Sequence, residues 1–222
     1  MSDLIRVMPA VALRGTTILP DMIVHFDVSR EKSVKAVETA MLQDQKVFLI
    51  TQRDPENEDP GLFDVYKIGT IAVIKQVVKL PKGVLRILVE GEERAELTNF
   101  ELNDMFLEAE IVKIDKENSV LESENVKEAM LRSMKKIFTA YGRENQRISK
   151  DLMNQILESD DVEHVIDQIC INIPISYEKR QKLLEAVDIS QRYELLGVIL
   201  SNEIEIMEIR AQLQAKVKAR VD

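Results

Sequence analysis

The chain has 222 residues, a net charge of -9, 45% hydrophobic residues and 31% charged residues. This length suits one large domain or two modest ones, and the composition is that of a folded globular protein. No apolar run reaches the roughly 18 residues needed to span a bilayer, and the negative charge disfavours general nucleic-acid binding.

The first half of the chain alternates apolar runs with Gly, Pro, Asn and Asp, a pattern typical of strands. The earliest run, residues 7–13, is interrupted by Pro9 and bracketed by Arg6 and Arg14, so it lacks the pattern of a secretory signal peptide. The spacing favours a small antiparallel sheet closed into a barrel or folded into a sandwich. Strands are predicted at residues 9–14, 23–28, 46–52, 65–80, 84–91, 94–100 and 105–114.

One helix is predicted among these strands, at residues 30–44. Ser29 is expected to cap its first amides. Val34, Val37 and Met41 recur at helical spacing, so they are predicted to pack one face of the helix against the core.

A long β-hairpin is predicted at residues 69–97, with its turn at Lys82 and Gly83. Leu85, Ile87 and Val89 recur with a period of two, so these three side chains are predicted to share one face of the strand. Arg86 is predicted to point the other way.

The second half of the chain has the periodicity of helices. The first is expected to end at Gly142, which is available as a terminator. The last is about 30 residues, or about 45 Å at 1.5 Å per residue, and its end carries a narrow apolar stripe that predicts a coiled-coil seam. The stripe contains Ile206, Ile209, Leu213, Val217 and Val221, and the predicted helices cover residues 119–142, 149–158, 161–173, 176–187 and 190–221.

We therefore predict an α+β chain of two domains. Residues 1–118 form the β domain with its single helix, and residues 119–222 form a helical bundle that ends in the long helix.

The sequence contains no nucleotide-binding loop. A P-loop needs two glycines five apart followed by Lys and Ser or Thr, and none of the seven glycines is so placed. The same glycine positions exclude the GxGxxG dinucleotide fingerprint. Cys170 is the single cysteine, which excludes an internal disulfide and a multi-cysteine zinc site and fits a reducing, cytoplasmic compartment.

Pairs of reactive residue types occur, but none forms a convincing catalytic constellation. His25 and Asp27 share a face of a predicted strand without an identifiable nucleophile, so we interpret His25 as a partly exposed strand residue. Ser133 and Lys136 lie one turn apart on an amphipathic helix, without an oxyanion hole, and are predicted to be surface residues.

Two further groups have simpler explanations. His164 and Cys170 are six residues apart on one predicted helix, which suits packing better than a ligand pair. The carboxylate-rich loop at residues 53–64 has neither an adjacent His nor EF-hand spacing, so it is predicted to be a solvated loop. We predict no catalytic, cofactor-binding or metal-ligating residue, and no substrate-contacting residue is identified.

Three separated motifs follow one another along the chain. The first places Leu13-Arg14 before Pro20 and the helix start Arg30 to Ser33. The second is the hairpin, with Ile68-Gly69-Thr70, Lys79-Leu80-Pro81, Gly83, Val89-Glu90-Gly91 and Arg94 in order. The third is IPISYEKRQKLLEAVDISQRYELLGVILSNEIEIMEI. In these motifs and their order the chain resembles bacterial Lon proteases, from about residue 9 to 221.

Some positions differ from that family's usual pattern. Val11-Ala12 stands where Leu-Pro is frequent, Asp21 follows Pro20 where Gly is common, and Glu92-Glu93 precedes Arg94 where an apolar residue is usual. These differences affect the details of the surface rather than the resemblance.

The resemblance implies a PUA-like β domain followed by a helical bundle, from the N-terminal region of an ATP-dependent serine protease. It implies that this region engages unfolded or degron-bearing substrate proteins and supports assembly of a hexamer. It also implies that ATP, Mg²⁺ and the Ser-Lys dyad belong to modules outside these residues, so this stretch is expected to be no enzyme by itself.

Two alternatives remain. A stand-alone peptide- or degron-binding adaptor would share the β domain, but it would not need so long a final helix. RNA binding is disfavoured by a charge of -6 over residues 1–118 and by few aromatic residues there.

Overall fold

The structure is a computed structural model that describes residues 5–103, 105–115, 121 and 123–221. The chain divides into two compact units. The first, called the β unit, contains Met1–Asp115 and Arg180–Glu185; the second, called the helical unit, contains Lys116–Lys179 and Ala186–Asp222. The predicted domain boundary after residue 118 falls among residues that are not described, so its position stays a prediction.

Within its described residues, the β unit contains six strands and one complete α-helix, in addition to the segment Arg180–Glu185 of a later helix. The strands form a single sheet in the order β2-β5-β4-β3-β1-β6, and β5 also pairs with β6. The elements are β1 (Ile5–Leu13), β2 (Ile23–Val28), α1 (Glu31–Leu42), β3 (Lys46–Thr51), β4 (Ile68–Lys79), β5 (Leu85–Leu102) and β6 (Leu107–Lys113).

The additional pairing closes five of the strands into a barrel. Strand β5 is long enough for two partners on the same side: its first part pairs with β2 and its second part with β6. The barrel prediction is confirmed, and the two predicted strands at residues 84–91 and 94–100 are one continuous strand.

One pairing is parallel rather than antiparallel. Residues 10–13 of β1 run alongside residues 48–51 of β3, from Ala10↔Phe48 to Leu13↔Thr51. Parallel neighbours need a crossover connection, and β2 and α1 lie between these two strands in the chain.

Two apolar clusters form the core of the β unit, one on each face of the sheet. Successive side chains of a strand point to opposite faces, so Ala10, Phe48 and Ile71 belong to one cluster while Val11, Leu49 and Ala72 belong to the other. The first cluster draws on all five barrel strands and fills the barrel. The second includes Ala36, Val37 and Ala40 of α1, so the helix covers the outside of the sheet.

The hairpin prediction is confirmed in its details. Leu85, Ile87 and Val89 are buried, with exposed fractions of 4%, 0% and 0%, and Arg86 is exposed. The turn contains Lys82 at φ 64° and Gly83 at φ 72°, both in the left-handed region. Glycine adopts this region without the steric penalty of a Cβ.

Gly91 is required for a different reason. A Cβ built there would lie 2.2 Å from the carbonyl oxygen of Leu19. The Gly91 N–H donates to the Met22 carbonyl at 2.9 Å, and the Asp21 N–H donates to the Gly91 carbonyl at 2.8 Å. The loop before β2 therefore lies directly on β5 at a position that admits no side chain.

The helical unit is built from α2 (Glu124–Glu144), α3 (Lys150–Glu158), α4 (Val162–Asn172), the first turn of α5 (Tyr177–Glu185) and α6 (Ile189–Val221). The buried faces repeat at three or four residues, as in Met130, Met134, Phe138 and Tyr141 of α2. Helix α6 has 33 residues, about 50 Å at the rise of an α-helix.

A buried arginine joins three parts of the helical unit. Arg192, 2% exposed, donates to the Asp167 carboxylate of α4 at 2.8 Å and to the carbonyls of Ala186 and Val187 at 2.8 and 3.1 Å. The Glu163 carboxylate lies 3.8 Å away. The arginine therefore fixes the turn before α6 to the side of α4.

The segment Arg180–Glu185 belongs to the β unit although the rest of α5 does not. Gln181 is 1% exposed, and its amide donates to the carbonyl of Ile68 at 3.0 Å. The Arg94 guanidinium donates to the Leu184 carbonyl at 2.9 Å. The sequence prediction placed residues 176–187 in one helix, but helical periodicity alone does not indicate this division.

Two helix-end predictions were wrong. Arg30, not Ser29, is the N-cap of α1, and no side chain caps the helix, because Ser29 lies one residue too early. Helix α2 continues past Gly142 to Glu144 and ends at Asn145 instead. Gly142 lies inside the helix, where a Cβ would meet the methyl carbon of Met153 at 2.2 Å, so the flexible Met153 side chain would have to shift to admit one.

Candidate interaction surfaces

Three strand segments of the β unit extend beyond the closed barrel. We call them the outer ribbon: β2, the end of β4 at residues 73–79, and the start of β5 at residues 85–90. Strand β5 lies in the middle, pairing Asp27↔Arg86 with β2 and Val78↔Arg86 with β4. Because residues paired across strands share a face, the register identifies which side chains face outward.

The outward face of the outer ribbon carries apolar side chains where polar ones are usual. Ile23 is 65% exposed and Val78 is 42% exposed. Val73 and Leu88 are half-buried between them. Exposed apolar side chains that share a face mark interaction sites more often than scattered ones do.

Charged pairs lie on the same face, among these apolar side chains. The Arg86 guanidinium donates to both carboxylate oxygens of Asp27, at 2.7 and 3.0 Å. The hydrogen bond from Arg86 lowers the pKa of Asp27 below its ordinary value of 3.8. Lys75 and Glu90 form a second pair at 2.9 Å.

The ribbon also has free strand edges among the described residues. Strand β2 pairs with β5 alone. Strand β3 pairs with β4 as far as Lys46↔Val73, and the Ile74 N–H donates to the Gln45 carbonyl at 2.8 Å. Residues 75–79 of β4 therefore have β5 on one side and no described strand on the other, which makes them a template for a further strand.

A second apolar surface lies on the end of α6. Ile206, Ile209, Leu213 and Val217 are 47%, 47%, 56% and 64% exposed. Their spacing of three and four residues places them on one face, so the predicted stripe is confirmed for these four. The side chain of Val221 lies outside the described residues.

A small cleft of about 160 Å³ lies where α1 begins, beside the ends of β1 and β2. The Arg30 guanidinium, which lines it, donates to the Ala12 carbonyl at 2.5 Å and to the Glu58 carbonyl at 3.4 Å. Burial lowers the pKa of Arg30, followed by the nearby positive charge of Arg14. These bonds attach the loop at residues 53–64 to β1, which gives Arg30 a structural role.

The structure shows where the predicted reactive pairs lie. His25 and Asp27 share the outer face of β2, but the Asp27 carboxylate is engaged by Arg86. Ser133 and Lys136 are both exposed on α2.

The structure also shows where His164, Cys170 and the carboxylate-rich loop at residues 53–64 lie. Cys170 is buried, with an exposed fraction of 1%, whereas His164 is exposed on another face of α4. No group of three His, Cys, Asp or Glu residues suitable for a metal ion occurs among the described residues, including those of the loop at residues 53–64.

The family model of the substrate-binding domain of the ATP-dependent protease La (LON) matches residues 7–202. This chain belongs to the Lon substrate-binding domain family. A relative called Lon protease from Lachnoclostridium phytofermentans is 43% identical over 222 residues, which are 100% of this chain and 27% of the relative. The Lon protease of Clostridioides difficile is 36% identical over 217 residues, 97% of this chain and 28% of that protein.

Solved structures agree with the fold. The N-terminal domain of a Mycobacterium avium complex Lon protease superposes with a TM-score of 0.69 at 19% identity, covering 90% of this chain and 98% of that one. The Lon N-terminal domain protein from Xanthomonas campestris gives 0.60 at 14% identity, covering 86% and 96%. The chain therefore spans about a quarter of the Lon proteases it matches and nearly all of these N-terminal domains.

Within the described residues, no helix of this Lon domain has the length and apolar character to cross a membrane.

The outer ribbon was not predicted from the sequence. One signal was available: Leu88 is apolar at an outward position of β5, between Arg86 and Glu90. Ile23 and Val78 were missed because alternation identifies two faces of a strand without showing which face is covered.

Proposed function

We propose that this chain is the substrate-recognition region of an ATP-dependent Lon protease that degrades misfolded, damaged and short-lived regulatory proteins. Its outer ribbon would contact unfolded or degron-bearing polypeptides. The observation that supports the proposal most directly is that Ile23 and Val78 are exposed and Leu88 is half-buried on the outward face of the ribbon.

The chemistry of an unfolded polypeptide fits this surface. Such a chain exposes apolar side chains that a folded protein buries, together with unpaired backbone N–H and C=O groups. An apolar sheet face beside a free strand edge can contact both, because side chains pack on the face while the backbone adds a strand. Recognition of this kind needs no titrating residue, which agrees with the arrangement of the reactive pairs.

The test compares two variants by fluorescence anisotropy with a labelled, chemically denatured model protein. Ile23→Ser combined with Val78→Ser removes the exposed apolar groups from the ribbon. We expect this double variant to bind at least about fivefold more weakly, from about 1 kcal/mol of lost apolar contact. Leu42→Ser is the control, because Leu42 is 89% exposed at the end of α1 and is not part of the ribbon.

Equal binding by the double variant and the unaltered chain would refute the role of the outer ribbon. A loss of binding on Leu42→Ser of the same size would show that exposed apolar groups act without regard to position. Thermal unfolding of each variant establishes that the fold is retained.

We also propose that the α6 stripe packs against a second copy of the chain and contributes to a homo-oligomer, which is a hexamer in the full-length protein. The stripe is narrow and spaced by three and four residues, as coiled-coil seams are. A second copy would offer the same stripe, so a two-fold packing is self-complementary.

Sedimentation equilibrium at high protein concentration tests this second proposal. We expect reversible self-association that Leu213→Glu abolishes, since a buried carboxylate at the seam is costly. Ala215→Glu is the matched control, because two residues along a helix turn its side chain to nearly the opposite side. A strictly monomeric chain, or equal effects of the two glutamates, would contradict the proposal.

The remaining features of the proposal follow from the same family membership. ATP and Mg²⁺ would bind outside residues 1–222, because the glycines present do not fit a P-loop. Residues 1–118 and 119–222 would act as two domains, with Arg180–Glu185 as an exception. The presence of a single cysteine, Cys170, supports a cytoplasmic location, and the net charge of -9 argues against nucleic acid as a partner.

A further inference from the structure

The tip of the outer ribbon has a charge opposite to that of the whole chain. Residues 75–86 contain four cations, Lys75, Lys79, Lys82 and Arg86, and no carboxylate, whereas the chain has a net charge of -9. The tip is therefore a local basic surface on an acidic protein.

Two of these four cations have no charged partner among the described residues. Lys75 pairs with Glu90 and Arg86 pairs with Asp27. Lys79, at the end of β4, and Lys82, in the turn, are exposed and form no ion pair with any residue that the structure describes. Their charges are available to a ligand.

Lys79 and Lys82 lie at or beside the free edge of β4, which is formed by residues 75–79. The Leu80 N–H donates to the Val84 carbonyl at 2.8 Å. Backbone groups of an antiparallel strand alternate between the two sides, so those of Lys79 and Val77 point away from β5. On the outward face, Val78 lies between Gln76 and the turn and is 42% exposed.

We infer that this edge selects extended polypeptide segments in which apolar residues alternate with acidic ones. The segment adds a strand beside residues 75–79, its apolar side chains reach Val78, and its carboxylates lie near Lys79 and Lys82. This inference rests on the proposed polypeptide engagement by the outer ribbon and adds a chemical preference to it.

The positive charge also disfavours a second copy as the occupant of this edge. In an antiparallel pairing of two identical edges centred on Val77, Lys75 would lie opposite Lys79 of the second copy, and like charges directly opposite each other destabilise a strand pair. Lysines at an edge protect against edge-to-edge aggregation. An acidic segment can still pair with this edge, because its carboxylates attract the lysines instead of repelling them.

The test uses three labelled ten-residue peptides in which Val alternates with Glu, Gln or Lys. We expect the Glu peptide to bind the chain about five- to tenfold more tightly than the Gln peptide at low salt, which is the scale of two exposed ion pairs. The Lys peptide should bind most weakly. Raising the salt concentration to about 0.5 M should remove most of the difference between Glu and Gln.

Variants test whether Lys79 and Lys82 cause the preference for the Glu peptide. Lys79→Gln combined with Lys82→Gln should reduce Glu-peptide binding to the level of the Gln peptide. The control combines Lys136→Gln with Lys150→Gln, which makes the same change of net charge at exposed positions of the helical unit. Lys79→Pro should weaken Gln-peptide binding as well, because it removes an outward N–H that an added strand would use.

The possible failures are distinguishable. Equal binding of the Glu and Gln peptides, or equal effects of the two lysine pairs, would overturn the acidic preference and leave the proposed function standing. Lysine variants that aggregate but bind the peptides unchanged would show that the lysines only protect the edge. Absence of binding by all three peptides would overturn both this inference and engagement at the ribbon edge.

Discussion

The β unit pairs buried threonine hydroxyls through neutral hydrogen bonds, whereas the helical unit buries a charge. In the β unit, the hydroxyl of Thr70 donates to the Ile18 carbonyl at 2.6 Å, and that of Thr51 donates to the Thr16 carbonyl at 2.8 Å. In the helical unit, Arg192 is nearly inaccessible and donates to the Asp167 carboxylate. Strand pairing orders the first unit over long sequence distances, whereas packed apolar helix faces and the Arg192–Asp167 pair hold the second unit together.

This difference predicts which substitutions lower the stability of each unit most. A neutral hydrogen bond contributes about 1 kcal/mol to stability. Removing one partner of a buried ion pair costs about 3–5 kcal/mol, because the other charge is left without compensation. The helical unit should therefore depend more on one residue than the β unit does.

The largest expected effect is that of Arg192→Ala. We expect the free energy of unfolding to fall by about 3–5 kcal/mol, since Asp167 loses its charged partner and the carbonyls of Ala186 and Val187 lose a donor. Thr70→Val, which keeps the shape and removes the hydroxyl, should cost about 1–2 kcal/mol. Urea denaturation of each variant, followed by circular dichroism, measures both.

Arg132→Ala is the control for arginine itself. Arg132 pairs with Glu128 on the surface of α2 and is 79% exposed, so its loss should cost less than about 1 kcal/mol. If Arg192→Ala and Thr70→Val destabilise the chain equally, the contrast between the two units is wrong.

Sequence reasoning predicted most of the secondary structure, because the relevant signals are local. The alternation of Leu85, Ile87 and Val89 identified one face of β5, and the spacing of Ile206, Ile209 and Leu213 identified the α6 stripe. Both patterns depend on residues within a few positions of one another. The absence of a P-loop could likewise be read from glycine positions alone.

The features that escaped prediction depend on residues far apart in the chain. Arg192 and Asp167 are 25 residues apart, and Gln181 and Ile68 are 113 apart. Whether an outward apolar residue such as Ile23 is covered depends on how far each neighbouring strand extends along the sheet. Sequence periodicity carries no information about the extent of neighbouring strands. The candidate surface was therefore missed even though the strands that form it were predicted.

The Asp27–Arg86 pair sharpens the comparison, because it is a charged pair of the β unit that is exposed rather than buried. The bond to Arg86 lowers the pKa of Asp27 below its ordinary value of 3.8. A carboxyl group whose pKa is lower in the folded state adds stability above its unfolded pKa, and this stability is lost as the pH falls through the folded value. The contribution should thus be present at neutral pH and disappear only in acid.

The expected effect is the smallest of those considered, because both side chains are half-exposed and solvent screens the pair. Titration of the Asp27 carboxyl carbon by NMR should give a midpoint below 3.8, and Arg86→Gln should return it toward that ordinary value. Lys35→Gln serves as the control: it should raise the pKa of Glu31, which the hydrogen bond from Lys35 lowers, while leaving Asp27 unchanged. If the titration midpoint of Asp27 is the same with and without Arg86, the two side chains are in contact without energetic coupling. In that case the apolar side chains alone define the surface of the outer ribbon.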